Sequence, residues 1–160
     1  MPIPAPLQLH TESVRPEWID YNGHMNVAYY VLAFDHATDA FLDYLGLDQD
    51  YKAKANVTTF VGDMNVTYKQ EVMEGDPLRF TTQLLEFDEK KFRYFHCMYH
   101  ATEGYLAATN ELISLHIDLE TRRVGPMGGE ILLQLQKVAE AHAKLPVPDG
   151  VGRVLGMRRK

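Results

Sequence analysis

Asn26-Val-Ala-Tyr-Tyr30-Val-Leu-Ala-Phe34-Asp-His-Ala37-Thr-Asp-Ala-Phe41-Leu-Asp-Tyr44-Leu45-Gly46 decides the fold of this chain. Tyr30, Ala33, Phe34, Ala37, Phe41, Tyr44 and Leu45 recur at steps of three and four, the stripe of an amphipathic helix. Asn26 suits the N-cap, and Gly46 suits the left-handed stop. The predicted helix therefore has about five turns. Its other face is also poor in charge (Val27, Tyr29, Val31, Leu32), which predicts burial on more than one side.

Around this helix the period changes to two. Upstream, residues 7–14 read as a strand, and Pro16 discourages helix before it. Downstream, residues 57–68 are rich in β-branched and aromatic side chains. Strict alternation puts Phe60, Met64, Val66 and Tyr68 on one face and Asp63 on the other. Glu74-Gly75-Asp76-Pro77 is a turn, residues 78–87 a strand, and Asp88-Glu89-Lys90 another turn. Residues 91–101 continue with Phe92, Tyr94, His96 and Met98 on one face. Glu103-Gly104 turns the chain into 105–118, which ends in the alternation Ile113, Leu115, Ile117. Residues 129–143 read as a second helix, stopped by Pro146 and Pro148.

Strand, long helix, four strands joined by hairpin turns, then helix is an α+β order. An antiparallel sheet wrapped around one long central helix is the hotdog arrangement, here with a C-terminal helix added. A ferredoxin-like fold is the alternative, but it needs a second helix between strands, and residues 57–118 offer none. A chain of 160 residues suits one domain, with a core over about 7–125 and a C-terminal helix and tail over 126–160.

Apolar residues make up 46% of the chain and charged residues 24%, ordinary for a globular domain. The net charge of -6 argues against nucleic acid as a partner. The basic residues of the tail, Arg153, Arg158, Arg159 and Lys160, read as a solvated terminus. No stretch approaches the roughly 20 apolar residues of a membrane span. The start, Met-Pro-Ile-Pro-Ala-Pro, lacks a signal-peptide pattern. The single cysteine, Cys97, suits a reducing compartment, so a cytoplasmic location is expected. The Asn-x-Thr triplets at Asn56 and Asn65 then read as strand sequence.

Chemistry concentrates just before the helix, in Trp18-Ile-Asp20-Tyr-Asn22-Gly-His24-Met-Asn26-Val27. Asp20, Asn22, His24 and Asn26 fall at every second position. A loop with an Asx turn and an N-cap accounts for one or two such residues. It does not call for a carboxylate, an imidazole and two amides among Trp18, Tyr21, Met25 and Tyr29. A carboxylate can serve as general base or as nucleophile. A helix N-terminus supplies free N–H groups and partial positive charge for a developing oxyanion.

Asp20-x-x-Gly23-His24-x-Asn26-x-x-Tyr29 resembles the signature of the 4-hydroxybenzoyl-CoA thioesterase group of hotdog proteins. The spacing of Asp20, Asn22, His24 and Asn26 is also similar to that of plant acyl-ACP thioesterases. Val66-Thr-Tyr68 with Gly75-Asp76, Gly104-x-Leu106-Ala107 and Asp118-x-x-Thr121-x-Arg123 resemble later strands and turns of the group, so the likeness covers roughly 10–125. It implies hydrolysis of an acyl-CoA thioester with Asp20 as base or nucleophile. It also implies that a backbone amide in the helix's first turn polarises the carbonyl; the matching position is Val27. Asn22 and His24 would orient Asp20 or the water, and Asn26 would cap the helix or touch substrate. Where many members have a second Asn, this chain has Val27. It also lacks the downstream acid or cysteine of some acyl-ACP enzymes. No cofactor is implied.

The segment Arg15-Pro-Glu-Trp18-Ile-Asp20 and the helix after it resemble a subgroup associated with bacterial carnitine breakdown, which releases betaine from betainyl-CoA. Trp18, Tyr21, Tyr29 and Tyr30 would then offer aromatic faces to a trimethylammonium group. Asp63, alone in charge within Val57–Tyr68, is the candidate counter-charge, with surface placement as the other reading. The family closes its site with a partner subunit, so a homodimer or higher homo-oligomer is implied. Lys90, Lys91 and Arg93 are candidates for the CoA phosphates, against a solvated hairpin turn. His96, Cys97 and His100 lack the further ligands of a zinc site and read as structural. Gly-x-Ser-x-Gly, Gly-x-Gly-x-x-Gly and P-loop motifs are absent. Two other functions stay open: a hotdog enoyl-CoA hydratase or dehydratase, and a non-catalytic acyl-CoA-binding protein.

Overall fold

A computed structural model describes residues 2–157; Arg158, Arg159 and Lys160 of the expected basic tail lie outside the described residues. The central helix α1 spans Val27–Leu45. Asn26 is extended, and its side chain accepts the Ala28 N–H at 2.9 Å; Gly46 closes the helix at φ 91. Both ends are therefore set by the residues that predict them. The stripe is buried along its length, from Tyr30 through Phe34 and Phe41 to Leu45.

The strands are β1 Leu7–Ser13, β2 Val57–Tyr68, β3 Pro77–Phe87, β4 Lys91–His100, β5 Leu106–Asp118 and the two-residue β6 Arg123–Val124. All pairings are antiparallel, in the order β1-β3-β4-β5-β2, with β6 added to β5. α1 lies on one face. Its N-terminal half packs with Trp18, Met25, Val72, Leu78, Phe80 and Met98. Its C-terminal half packs with Leu84, Phe92, Tyr94 and Leu112, where the second long helix α3 (Gly129–His142) adds Ile131, Leu135 and Val138. Each such side chain contributes about 1.5–3 kcal/mol by leaving water. The order is the α+β hotdog arrangement the sequence predicts.

Four features depart from expectation. A short helix α2, Gln49–Ala55, follows α1, with the Asp48 side chain accepting the Tyr51 N–H at its start. Strict alternation fails in β2, where a bulge lies between Val61 and Asp63. Phe60 opposes Leu115 and Asp63 opposes Ile113, so these two share the face away from α1, while Val61, Met64, Val66 and Tyr68 share the inner face. A Cβ on Gly62 would sit 3.0 Å from a Leu115 methyl, so any larger residue at the bulge makes Leu115 shift by a few tenths of an ångström. The second face of α1 is not covered within the protomer: Val27 is 60% exposed and Leu32 is exposed as well. Finally, the tail after α3 crosses the outer sheet face. Gln83 donates to the Pro146 carbonyl, the Gly152 N–H to Glu111, and Asn65 to the Arg153 carbonyl. The Arg153 guanidinium donates to Thr67 Oγ1 at 2.9 Å, so Arg153 is tied to β2 and is not a solvated terminus.

His96 and His100 are both buried, as the structural reading requires. His96 bridges Thr38 and Thr82 at 2.9 and 2.8 Å. Burial pushes its pKa down to about 3, so it is neutral in the fold. No helix of the described residues is long and apolar enough to cross a membrane.

Candidate active site

Residues 18–26 form a tight reversal laid against the start of α1. The Trp18 carbonyl accepts the Asn26 N–H, the His24 carbonyl accepts the Asp20 N–H, and the Asp20 carbonyl accepts the Gly23 N–H. Gly23 turns the chain at φ 84, a conformation that costs an L side chain but not glycine. Trp18 and Met25 bury beneath the loop and anchor it, with the Met25 N–H on the Val72 carbonyl. Polar residues at every second position thus mark a chain reversal, not one face of a strand.

Asp20 is half-buried, and one carboxylate oxygen accepts the Asn22 N–H at 2.9 Å. The other, Oδ2, has no hydrogen bond among the described residues, which leaves it free to act. Asn26 caps α1 and also accepts the Tyr29 N–H on its carbonyl. With the Ala28 and Tyr29 amides so occupied, the Val27 N–H is the first-turn donor with no partner among the described residues. The loop-and-cap geometry and a reactive site are therefore compatible: the cap uses two amides and spares the third.

A cavity of about 240 Å³ opens beside this turn, lined by His24, Val27, Tyr30, Tyr68 and Glu71 among others. The carboxylate of Glu71 lies 3.4 Å from His24 Nε2. Tyr68 donates to the Val27 carbonyl at 3.0 Å, and Tyr30 accepts the Val72 N–H and meets the Tyr68 ring edge-on at 5.0 Å. Burial raises both phenol pKa values, and nearby Glu71 and Asp20 raise that of Tyr30 further, so both stay protonated at neutral pH. Tyr68 lies in the family-like segment Val66-Thr-Tyr68, which implies no site role for it, and Glu71 carries no motif signal. They reach the site because β2 ends there.

Other candidates are placed elsewhere. Trp18 is buried, stacked on Tyr29 at 5.8 Å with the Arg15 guanidinium 5.3 Å from its ring centre, so it supports the loop and offers substrate no open face. Tyr21 is 98% exposed at the loop tip. Asp63 is exposed on the outer face of β2, in a recess of about 510 Å³ shared with Arg153 and Glu111, and is not brought to Asp20 within the protomer. Arg93 is held by Glu86 and Glu111 at 2.6 and 2.9 Å. Lys90 and Lys91 sit on the β3–β4 turn, where the Glu89 carbonyl accepts the Met127 N–H. That turn is at the α1 C-terminal end of the sheet, a helix length of roughly 28 Å from Asp20.

The family described as the thioesterase-like superfamily matches residues 14–154, nearly the whole chain. The chain belongs to this superfamily. A betainyl-CoA thioesterase of Pseudomonas aeruginosa is 39% identical over 151 residues, covering 94% of this chain and 95% of that protein. An L-carnitine dehydrogenase/betainyl-CoA thioesterase of Rhizobium meliloti is 36% identical over 155 residues; the match covers 97% of this chain but 31% of that longer protein. A Staphylococcus aureus protein solved in complex with CoA superposes with a TM-score of 0.89, covering 99% of this chain and 100% of its own. At 24% identity that superposition speaks for the fold alone. In this member of the superfamily, the matched segment contains the Asp20 loop, all of α1 and the tail through Arg153.

Proposed function

We propose that this protein hydrolyses betainyl-CoA to betaine and CoA. The observation that carries the substrate is the 39% identity to the P. aeruginosa betainyl-CoA thioesterase, sustained over nearly the full length of both chains. Membership of the superfamily supports the wider reaction class, acyl-CoA thioester hydrolysis.

In the proposed mechanism the thioester carbonyl oxygen accepts the free Val27 N–H, and the positive end of α1 stabilises the charge that develops there. Asp20 Oδ2 then acts in one of two ways. As base it takes a proton from water while the water oxygen bonds to the carbonyl carbon; the C–S bond breaks and the thiolate takes up the proton. As nucleophile it bonds to the carbonyl carbon while the C–S bond breaks and CoA thiolate leaves. Water then cleaves the resulting mixed anhydride to the free acid and the Asp20 carboxylate, and its released proton goes to the thiolate. The Asn22 backbone N–H positions this carboxylate, the His24 imidazole faces Glu71 at the cavity wall, and Asn26 fixes the helix turn. For a trimethylammonium group, the exposed Tyr68 ring, braced by buried Tyr30, and the Glu71 carboxylate are better supported within the protomer than Trp18 or Asp63.

We further propose a homodimer formed along β2. This strand is one edge of the sheet, with Phe60 exposed on its outer face and Val61 and Tyr68 exposed on its inner face, where Tyr68 reaches exposed Val27 of α1. The free thiol Cys97 suits a cytoplasmic enzyme.

Turnover of betainyl-CoA and of its neutral carbon isostere, 3,3-dimethylbutyryl-CoA, tests the proposal. A kcat/KM at least ~5-fold higher for the cation is expected, within the range of about 0.5–2 kcal/mol for a cation held by aromatic faces. Equal or reversed preference ends the cationic assignment. Failure to hydrolyse either, or hydration of an enoyl-CoA instead, ends the thioesterase assignment.

A further inference from the structure

We propose that His10, Glu12 and His36 form a zinc-class divalent metal site that clips the edge strand β1 to the middle of α1. It is independent of the thioesterase assignment. His10 and Glu12 alternate onto the inner face of β1, opposite Phe80 and Leu78, and His36 comes from the helix that crosses them. His10 Nε2 lies 2.7 Å and His36 Nδ1 2.8 Å from the same carboxylate oxygen, Glu12 Oε2. All three ligand atoms lie within 4.8 Å of one another.

Three facts favour a cation there. The Glu12 side chain is 11% exposed and stands opposite buried Leu78, and a carboxylate so far out of water needs positive charge or strong donors. Two imidazoles and one carboxylate are a donor set that suits zinc, with a fourth position left for water. The His10 and His36 side chains, 23% and 31% exposed, leave a route in from solvent. Tetrahedral ligands at about 2.0–2.1 Å stand roughly 3.3 Å apart, so the metal replaces the two bridging protons with a spread of about half an ångström per contact. His36 is about 14 Å along the helix from Val27, so this site is distinct from the Asp20 loop. The sequence shows no metal spacing because the third ligand lies on another element.

Titration of tag-free, metal-stripped protein with Co2+ and then Zn2+ tests the inference. One Co2+ per chain is expected, with the visible absorption of a four-coordinate nitrogen–oxygen site and no thiolate band from Cys97, and Zn2+ should displace it. Zinc should raise Tm by several degrees, since a ligand of the folded state stabilises it. Glu12→Gln and His36→Gln should each weaken binding at least ~10-fold, consistent with loss of one ligand. On wild-type protein, 15N shifts of His10 and His36 should change on zinc addition, which keeps the inference testable if a variant unfolds. No binding below about 0.1 mM, binding unchanged in both variants, or unmoved His10 and His36 resonances would each overturn it and leave a hydrogen-bonded His–Glu–His bridge.

Discussion

The Tyr68 hydroxyl, at the end of the edge strand β2, donates a 3.0 Å hydrogen bond to the Val27 carbonyl in the first turn of α1. One bond thus joins the strand proposed to pair with a second subunit to the residue whose amide is proposed to hold the substrate carbonyl. Tyr68→Phe keeps the ring against Tyr30 and removes this bond alone. It should cost about 0.5–1.5 kcal/mol in chemical denaturation. It should also lower kcat by roughly 3- to 10-fold, as a misplaced donor would. Unchanged kcat with the expected loss of stability would detach Tyr68 from catalysis.

Asp20→Asn preserves the Asx turn, because an amide oxygen can still accept the Asn22 N–H. It removes the free carboxylate oxygen. A kcat loss of at least ~10²-fold is expected, the usual scale for a positioned acid–base group, with the fold intact by circular dichroism. Near-normal turnover would sink the assignment. His24→Ala should cost less, since His24 is half-exposed and its one side-chain polar partner among the described residues is Glu71, at 3.4 Å.

Local signals carried the helix and most strand ends. Asn26 and Gly46 announce the ends of α1, and Asp88-Glu89-Lys90 announces the β3–β4 turn. Asp48 before Gln49–Ala55 is an equally good start signal for α2, but that helix buries no residue and so shows no apolar stripe. Non-local geometry was out of reach. The bulge between Val61 and Asp63 is set in the pairing with β5, so strict alternation places Phe60 and Asp63 on opposite faces when they share one. Arg153 looked like a loose tail because its partners, Asn65 and Thr67, come from another strand. Asp20, Asn26 and Val27 are legible as a motif and Tyr68 as part of a family-like strand, but the placing of Tyr68 and Glu71 beside the Asp20 loop comes only through the fold.

His96 predicts a direction of acid sensitivity. Its pKa is depressed by burial, as are those of His116 and His142. The unfolded chain therefore binds protons that the folded chain refuses once pH falls below the ordinary histidine value of about 6.5. Stability should be full above that value and should decline as pH falls toward about 3. The slope from His96 approaches about 1.4 kcal/mol per pH unit. Denaturation midpoints measured from pH 7 to pH 4.5 check this. His96→Gln should lie lower at pH 7 and fall less steeply. An equal slope in the variant would show that other groups govern the acid limb.

The edge of β2 carries the last prediction. A twelve-residue edge strand with exposed Phe60 and Val61 is a template for another strand. The cavity beside Val27 is lined by Tyr68 and Lys69 from the end of this same strand and the residues after it. A second copy pairing along β2 in C2 symmetry would cover Val61 and border that cavity. Val61→Lys places a charge on the inner face of the edge, where a single protomer already leaves it 41% exposed. The isolated fold should therefore tolerate it, while a paired edge should not. Sedimentation should find a wild-type dimer at micromolar concentration and a monomeric variant. The variant's kcat/KM should fall at least ~10-fold, because the substrate cavity is left open to water. A wild-type monomer with full activity, or a monomeric Val61→Lys variant that turns over normally, would show that one protomer holds the complete site.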